Sequence, residues 1–359
     1  MPVSERVSTR KPKTRKRTSA RRLSLGGAAV GAVVALVTGC GTGGDDASSS
    51  IVRTTTNIAG ASVVGIERDT TRACALPTAP DQASGTRTVM AGTQVPADPK
   101  RIVVLDTAAL DAVCAVGLWE RVVGATTQPG PAPQPNYLGT GVLKIPSVGT
   151  SGAVDPAKIS ALQPDLILGA AGDGDLAALR GVAPTVLVDH RGWQDDFTAY
   201  TDALGRGSAG AKALADYRTD ARETGASIAA NFSQASVIRF SPKDIQVQGT
   251  DTFAGQVLAD AGVQRPGAQR DRSFTVDSLA TESDRNKIEG DIIYLMFDGP
   301  DGQSHGESIM KGDDWKELGA VADKRDFAVE DDLWHGSGLT AARAILDDLR
   351  KTLNGYVTD

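Results

Sequence analysis

Tyr137, Arg191, Trp193, Arg239, Trp334 and His335 are the side chains of this sequence best suited to recognising a bulky polar molecule. A guanidinium presents a rigid fork of donors that matches planar anionic groups such as carboxylate and catecholate. Tyr and Trp add broad apolar walls with one polar tip each. His335 suits either a hydrogen bond within its own loop or donation of a ring nitrogen to iron or haem iron. Bond-making chemistry has no comparable support. The sequence contains no G-x-S-x-G, no H-E-x-x-H and no C-x-x-C, and the pair Gly172 and Gly174 lacks the lysine of a phosphate loop. His190, His305 and His335 are scattered without metal-ligand spacing. The sequence therefore points to ligand capture rather than catalysis, with no cofactor and no metal held by protein side chains.

Such residues need a scaffold, and the hydrophobic pattern supplies one. Apolar β runs at 102–105, 122–125, 166–168 and 186–188 alternate with helical stretches at 108–116, 156–162 and 175–180. The run Ile102–Leu105 is continuous rather than alternating, as expected of a strand covered on both faces. A loop at 127–146 carries five prolines and Tyr137. A long helical pattern follows at 208–232, with Leu214, Tyr217, Ala221, Ile228 and Phe232 mostly three or four residues apart. Strands then resume at 236–239, 245–247, 292–295 and 327–329, with helices at 253–261, 275–288, 308–318 and 339–353. This order predicts an α/β protein of two Rossmann-like lobes, 86–207 and 233–359, joined by one long interlobe helix.

Each lobe opens a buried strand with an acid, Asp165 in Q-P-D-L-I-L and Asp291 in E-G-D-I-I-Y-L. Both are expected at strand starts, away from a ligand. Ligands favour domain interfaces and the carboxyl ends of parallel strands. Arg191 and Trp193 follow the 186–188 strand, Arg239 ends the 236–239 strand, and Trp334 and His335 precede the last helix. All are thereby expected to face a cleft between the lobes.

The first 25 residues hold nine Lys or Arg and one acid, Glu5. An apolar run from Leu23 to Val37 and the sequence V-T-G-C follow. This is the pattern of a secretory signal over 1–39, and the run is short for a span of about 20 residues. Cys40, directly after Gly39, resembles a lipobox cysteine that is acylated and becomes the mature N-terminus. Removing 1–39 leaves 29 basic and 43 acidic residues, a net charge of −14. Nucleic acid is excluded as a partner on that balance. The expected product is exported and lipid-anchored to the outer face of the cytoplasmic membrane, in the periplasm or cell envelope. Residues 40–85 read as a flexible tether and an extension that packs back in part. An oxidising compartment permits a disulfide between Cys74 and Cys114; the other reading is one buried thiol and one exposed thiol.

The motifs V-P-A-D-P-K-R-I-V-V-L-D (95–106), V-G-T-S-G (148–152) and I-S-A-L-Q-P-D-L-I-L (159–168) resemble the N-lobe of helical-backbone (class III) ABC-type substrate-binding proteins for siderophores, haem and vitamin B12. T-F-A-G-Q-V-L-A-D-A-G-V-Q-R-P (252–266), G-D-I-I-Y-L (290–295), W-K-E-L-G-A-V (315–321) and A-I-L-D-D-L (344–349) match its C-lobe. The resemblance covers about 87–355 and extends to actinobacterial iron(III)-dicitrate and siderophore-binding lipoproteins. It implies a monomer that captures a ferric siderophore for iron uptake, closing the six residues named above over an anionic chelate. A haem binder, or an envelope scaffold with a vestigial cleft, is the alternative. The family docks one Glu per lobe to Arg residues of an ABC permease. Glu282 is the C-lobe candidate, whereas Ala157, beside Lys158, stands at the N-lobe position. The resemblance therefore leaves two partners open, an ABC permease or another iron carrier.

Overall fold

The computed structural model describes residues 55–130 and 132–353. The signal segment, Cys40 and the spacer lie outside the described residues. In chain order, β1 (Asn57–Ile58) and β2 (Ala61–Val63) form a hairpin, and β3 (Thr86–Thr88) with β4 (Gln94–Pro96) forms another. The N-terminal lobe comprises β5 (Ile102–Val104), α1 (Thr107–Ala115), β6 (Val122–Thr127), β7 (Ser147–Thr150), β8 (Ala153–Val154), α2 (Pro156–Ala161), β9 (Leu166–Ala170), α3 (Leu176–Arg180), β10 (Thr185–Val188) and α4 (Trp193–Ala203). The connecting helix is α5 (Gly207–Ser227). The C-terminal lobe comprises β11 (Ala235–Phe240), β12 (Ile245–Val247), α6 (Phe253–Asp260), β13 (Phe274–Val276), α7 (Glu282–Ile288), β14 (Ile292–Phe297), α8 (Gly299–Met310), α9 (Asp313–Lys316), α10 (Gly319–Ala322), β15 (Asp326–Ala328), α11 (Asp331–Trp334) and α12 (Leu339–Leu353).

Each lobe is built on one sheet. The N-terminal sheet has the order β10-β9-β5-β6-β7-β8 and is parallel except for the last pair. The C-terminal sheet has the order β1-β2-β15-β14-β11-β12-β13, with β2, β15, β14 and β11 parallel. The unbroken apolar runs follow from covering both faces. Ile102 and Val104 of β5, with Tyr294 and Met296 of β14, enter one core cluster that also holds Tyr217 of α5 and Leu346 of α12. Alternate residues point outward, Val103 into a small N-terminal cluster and Ile293 and Leu295 into a C-terminal one. The two lobes thus share a continuous apolar core, a construction that resists large independent motion.

The repeated acids are latches. Asp165 accepts the Lys100 and Arg101 amides at 2.7 and 2.9 Å, and its own amide donates to the Arg101 carbonyl at 2.9 Å. Asp291 accepts the Gln234 amide at 2.7 Å, and its amide donates to the Gln234 carbonyl at 2.8 Å. Both hold the starts of adjacent strands together.

The extension runs across the body. The β1–β2 hairpin lies beside β15, Arg68 pairs with Glu330 and Asp348, and Cys74 is disulfide-bonded to Cys114 of α1. Asp81 then accepts the Ser208 amide at the start of α5.

Three elements differ from the sequence expectation. The connecting helix stops at Ser227, because Ala229 adopts φ 50° and turns the chain; Phe232 lies beyond that turn and is 81% exposed. Phe274–Val276 is an edge strand, and the following helix starts only at Glu282. The 308–318 helix begins instead at Gly299. Its glycines hide it in sequence, yet a Cβ on Gly306 would come within 2.8 Å of the Phe240 ring, so close packing requires them. In addition, α4 was not anticipated, although Trp193, Phe197 and Tyr200 repeat at helical spacing along its buried face.

Candidate functional site

At the carboxyl ends of the N-terminal strands the chain gathers acids. Asp106, two residues after β5, accepts the Ala109 amide at 2.5 Å and the Tyr200 hydroxyl at 2.8 Å. Burial, against those hydrogen bonds, pushes its carboxyl up to about 6. Asp173, after β9, accepts the Ala170 amide at 2.6 Å and adjoins Asp106; burial raises its pKa as well. His190, after β10, places Nδ1 3.2 Å from Asp196, whose other oxygen accepts the Arg191 amide at 3.2 Å. The Arg191 side chain is 71% exposed and lies 4.0 Å from Asp189.

The C-terminal strand ends carry a different device. Arg239 in β11 donates from Nε and Nη2 to both oxygens of Asp331, at 2.6 and 2.8 Å, and from Nη2 to Asp298 at 2.8 Å. Asp298 follows β14 and Asp331 lies just beyond β15. The bond to Asp331, opposed by burial, raises the pKa of Arg239, which stays charged. Asp332 is raised by burial and by its neighbour Asp331. His335 is exposed in the turn after α11; desolvation and then Arg239 lower its pKa.

Contacts between the lobes fix these rims. Asp111 of α1 accepts the Thr340 and Ala341 amides at the start of α12, at 2.9 and 3.0 Å. Gly338, at φ 124°, makes room for it, since a Cβ there would meet the carboxylate carbon at 2.3 Å. This clasp sets the segment that carries His335 against the N-terminal lobe. Gln194 of α4 donates to Asp260 of α6 at 3.0 Å, and Tyr217 of α5 donates to the same carboxylate at 2.9 Å.

Of the residues singled out in sequence, the structure brings Arg239 and His335 together, whereas Arg191 follows β10 of the other lobe. The aromatic three lie elsewhere. Tyr137, Trp193 and Trp334 are 2, 3 and 1% exposed and belong to the shared core. Trp193 meets Tyr217 and Phe253 edge-on at 5.0 and 5.8 Å; Trp334 packs on Tyr294 at 4.4 Å and donates Nε1 to Asp348 at 3.0 Å. Their large apolar area gains more from core packing than from a solvent-facing wall. The expectation of a ready fork for an anion also changes, because two carboxylates already occupy Arg239. Glu282 is exposed at the start of α7, and Ala157 is exposed in the first turn of α2, the helix before the latch of the other lobe. Asp106, Asp173, Asp196, Asp298 and Asp331 were missed. Their signal was position: Asp106 and Asp298 each directly follow an apolar run.

Among the described residues, no group of three or more His, Cys, Asp or Glu is arranged to hold a metal ion, and no helix is long and apolar enough to cross a membrane.

A family model described as "Periplasmic binding protein" matches residues 102–333. The "Probable siderophore-binding lipoprotein YfiY" of Bacillus subtilis (strain 168) is 28% identical over 289 residues, covering 74% of this chain and 87% of that protein. The "Fe(3+)-citrate-binding protein YfmC" of the same organism is 25% identical over 250 residues, covering 67% and 76%. Among solved structures, Staphylococcus aureus SirA complexed with staphyloferrin B superposes with a TM-score of 0.63 at 21% identity, covering 76% of this chain and 99% of that one. That likeness shows the shared fold.

Proposed function

We propose, because the chain belongs to the periplasmic binding protein family, that it captures a ferric siderophore between its lobes for iron uptake. The observation that carries this reading is the joint match in sequence and fold. Curated relatives named for siderophore and ferric citrate binding align over most of their length, and each lobe is built on a sheet with a parallel centre, the arrangement whose carboxyl ends take ligands. The iron keeps its ligands from the chelate, and the protein supplies walls, charge and hydrogen bonds. Haem fits less well: Tyr137 is buried, which leaves His335 as the remaining axial candidate.

The protein acts at the outer face of the cytoplasmic membrane, held by a lipid on Cys40. It delivers its cargo to an ABC permease through a contact that uses Glu282 on the C-terminal lobe and a different, uncharged or basic, surface at Ala157 and Lys158. Mass spectrometry of the membrane-extracted protein tests the anchor: acylation at Cys40, lost in Cys40→Ala, is expected. Pull-down of the cognate permease tests the docking: Glu282→Ala weakens recovery, and unchanged recovery would assign the contact to another surface. Capture itself is tested by calorimetry with ferric and metal-free forms of one siderophore. Saturable one-to-one binding of the ferric form is expected, and binding of neither form by the folded protein would contradict the reading.

A further inference from the structure

The charge arrangement at the strand ends selects among iron chelates. We infer that the cleft takes a ferric chelate of neutral or positive charge, of the trihydroxamate class, and disfavours polyanionic catecholate or citrate chelates. This rests on the capture reading above.

The C-terminal rim carries one guanidinium against Asp298, Asp331 and Asp332. Asp331 fills the guanidinium fork with both of its oxygens, at 2.6 and 2.8 Å. An incoming carboxylate or catecholate would have to displace it and then sit beside Asp298, also on Arg239 at 2.8 Å. Like charges brought together at a desolvated site are strongly unfavourable. The N-terminal rim repeats the bias. Arg191 has Asp189 at 4.0 Å, and His190 has Asp196 at 3.2 Å. Asp106 and Asp173 place two further carboxyl groups at these strand ends. Lys243, exposed in the turn after β11, is followed by Asp244 and so adds no net charge.

The chemistry of iron(III) turns this into a ligand class. Three hydroxamates carry three negative charges and leave the complex neutral, or positive when the backbone also bears an ammonium group. Three catecholates leave it trianionic. A catecholate also offers aromatic rings for stacking, yet Tyr137, Trp193 and Trp334 are buried in the core. Hydroxamates need no such partner; their carbonyl and amide groups take hydrogen bonds from polar rims.

Calorimetry on the full chain with a graded series tests this: a neutral ferric trihydroxamate, one bearing an ammonium group, ferric citrate and a ferric tricatecholate. The neutral and cationic complexes are expected to bind at least about tenfold more tightly than the tricatecholate, with the gap narrowing as salt rises. Asp298→Asn combined with Asp331→Asn releases Arg239 and is expected to improve tricatecholate binding by about tenfold relative to the neutral complex. Should that variant misfold, Asp332→Asn, at an exposed position, is expected to shift the same preference by a smaller factor. Tricatecholate binding equal to or tighter than that of the neutral complex would overturn the charge assignment and leave capture standing. Binding of none of the four would overturn both.

Discussion

The two lobes begin their strands alike and end them differently. At the starts, Asp165 and Asp291 perform one operation: each carboxylate and amide clasps the backbone that opens the neighbouring strand. At the ends, the N-terminal lobe buries a carboxyl pair beside a histidine, whereas the C-terminal lobe locks an arginine between two carboxylates. The difference teaches that strand starts serve the fold and were free to be repeated. Strand ends, where parallel sheets commonly take their ligands, were free to diverge.

The largest expected effect concerns a feature that only the N-terminal lobe has. The Cys74–Cys114 bond closes a loop with a sequence separation of 40, while the C-terminal lobe receives the same extension as paired strands. Replacing both cysteines with serine is expected to cost about 3 kcal/mol of unfolding free energy in a urea titration. A loss under about 1 kcal/mol would show that the paired strands, the Arg68 ion pairs and the Asp81 contact suffice to hold the extension. Asp111→Ala comes next: it leaves two buried amides of α12 without acceptors and is expected to cost about 2 kcal/mol by the same measurement.

The latches give a finer comparison. Asp165 serves two amides and Asp291 one, so Asp165→Asn is expected to lose about 1 kcal/mol. Asp291→Asn, which keeps the one acceptor it needs, is expected to lose less than about 0.5 kcal/mol. Equal losses in urea midpoints would contradict the difference in acceptor count as its cause.

The smallest effect is a pH slope. Asp106 titrates at about 6 in the folded protein, above the value of about 3.9 for an unfolded aspartate. The folded state therefore holds a proton that the unfolded chain has already released. Its contribution to stability is present below about pH 4 and is lost as pH rises through about 6. Asp106→Asn is expected to reduce the fall of the urea midpoint across that window, and Asp111, also pushed up to about 6 by burial, supplies the remaining slope.

Much of the scaffold was legible because its signals are local. The helix Leu339–Leu353 has the bounds its periodicity gives, and the continuous apolar run Ile102–Leu105 contains the doubly covered strand Ile102–Val104. The glycine-rich α8 was not legible, since Gly302 and Gly306 answer to Phe240, some 60 residues earlier in sequence. The site was legible in place more than in chemistry. Arg239 lies at a strand end as its pattern implies, but its partners are 59 and 92 residues away in sequence. No spacing rule announces such pairs. The tryptophans failed for another reason: the same ring suits a ligand wall and a core, and only the assembled packing decides between them.

The central claim is ferric chelate capture, and calorimetric titration of the full chain with one trihydroxamate siderophore, iron-loaded and iron-free, tests it most directly. Saturable one-to-one binding of the ferric form and much weaker binding of the iron-free form are expected. Absence of heat and of saturation with a range of ferric chelates, in protein shown by circular dichroism to be folded, would contradict it.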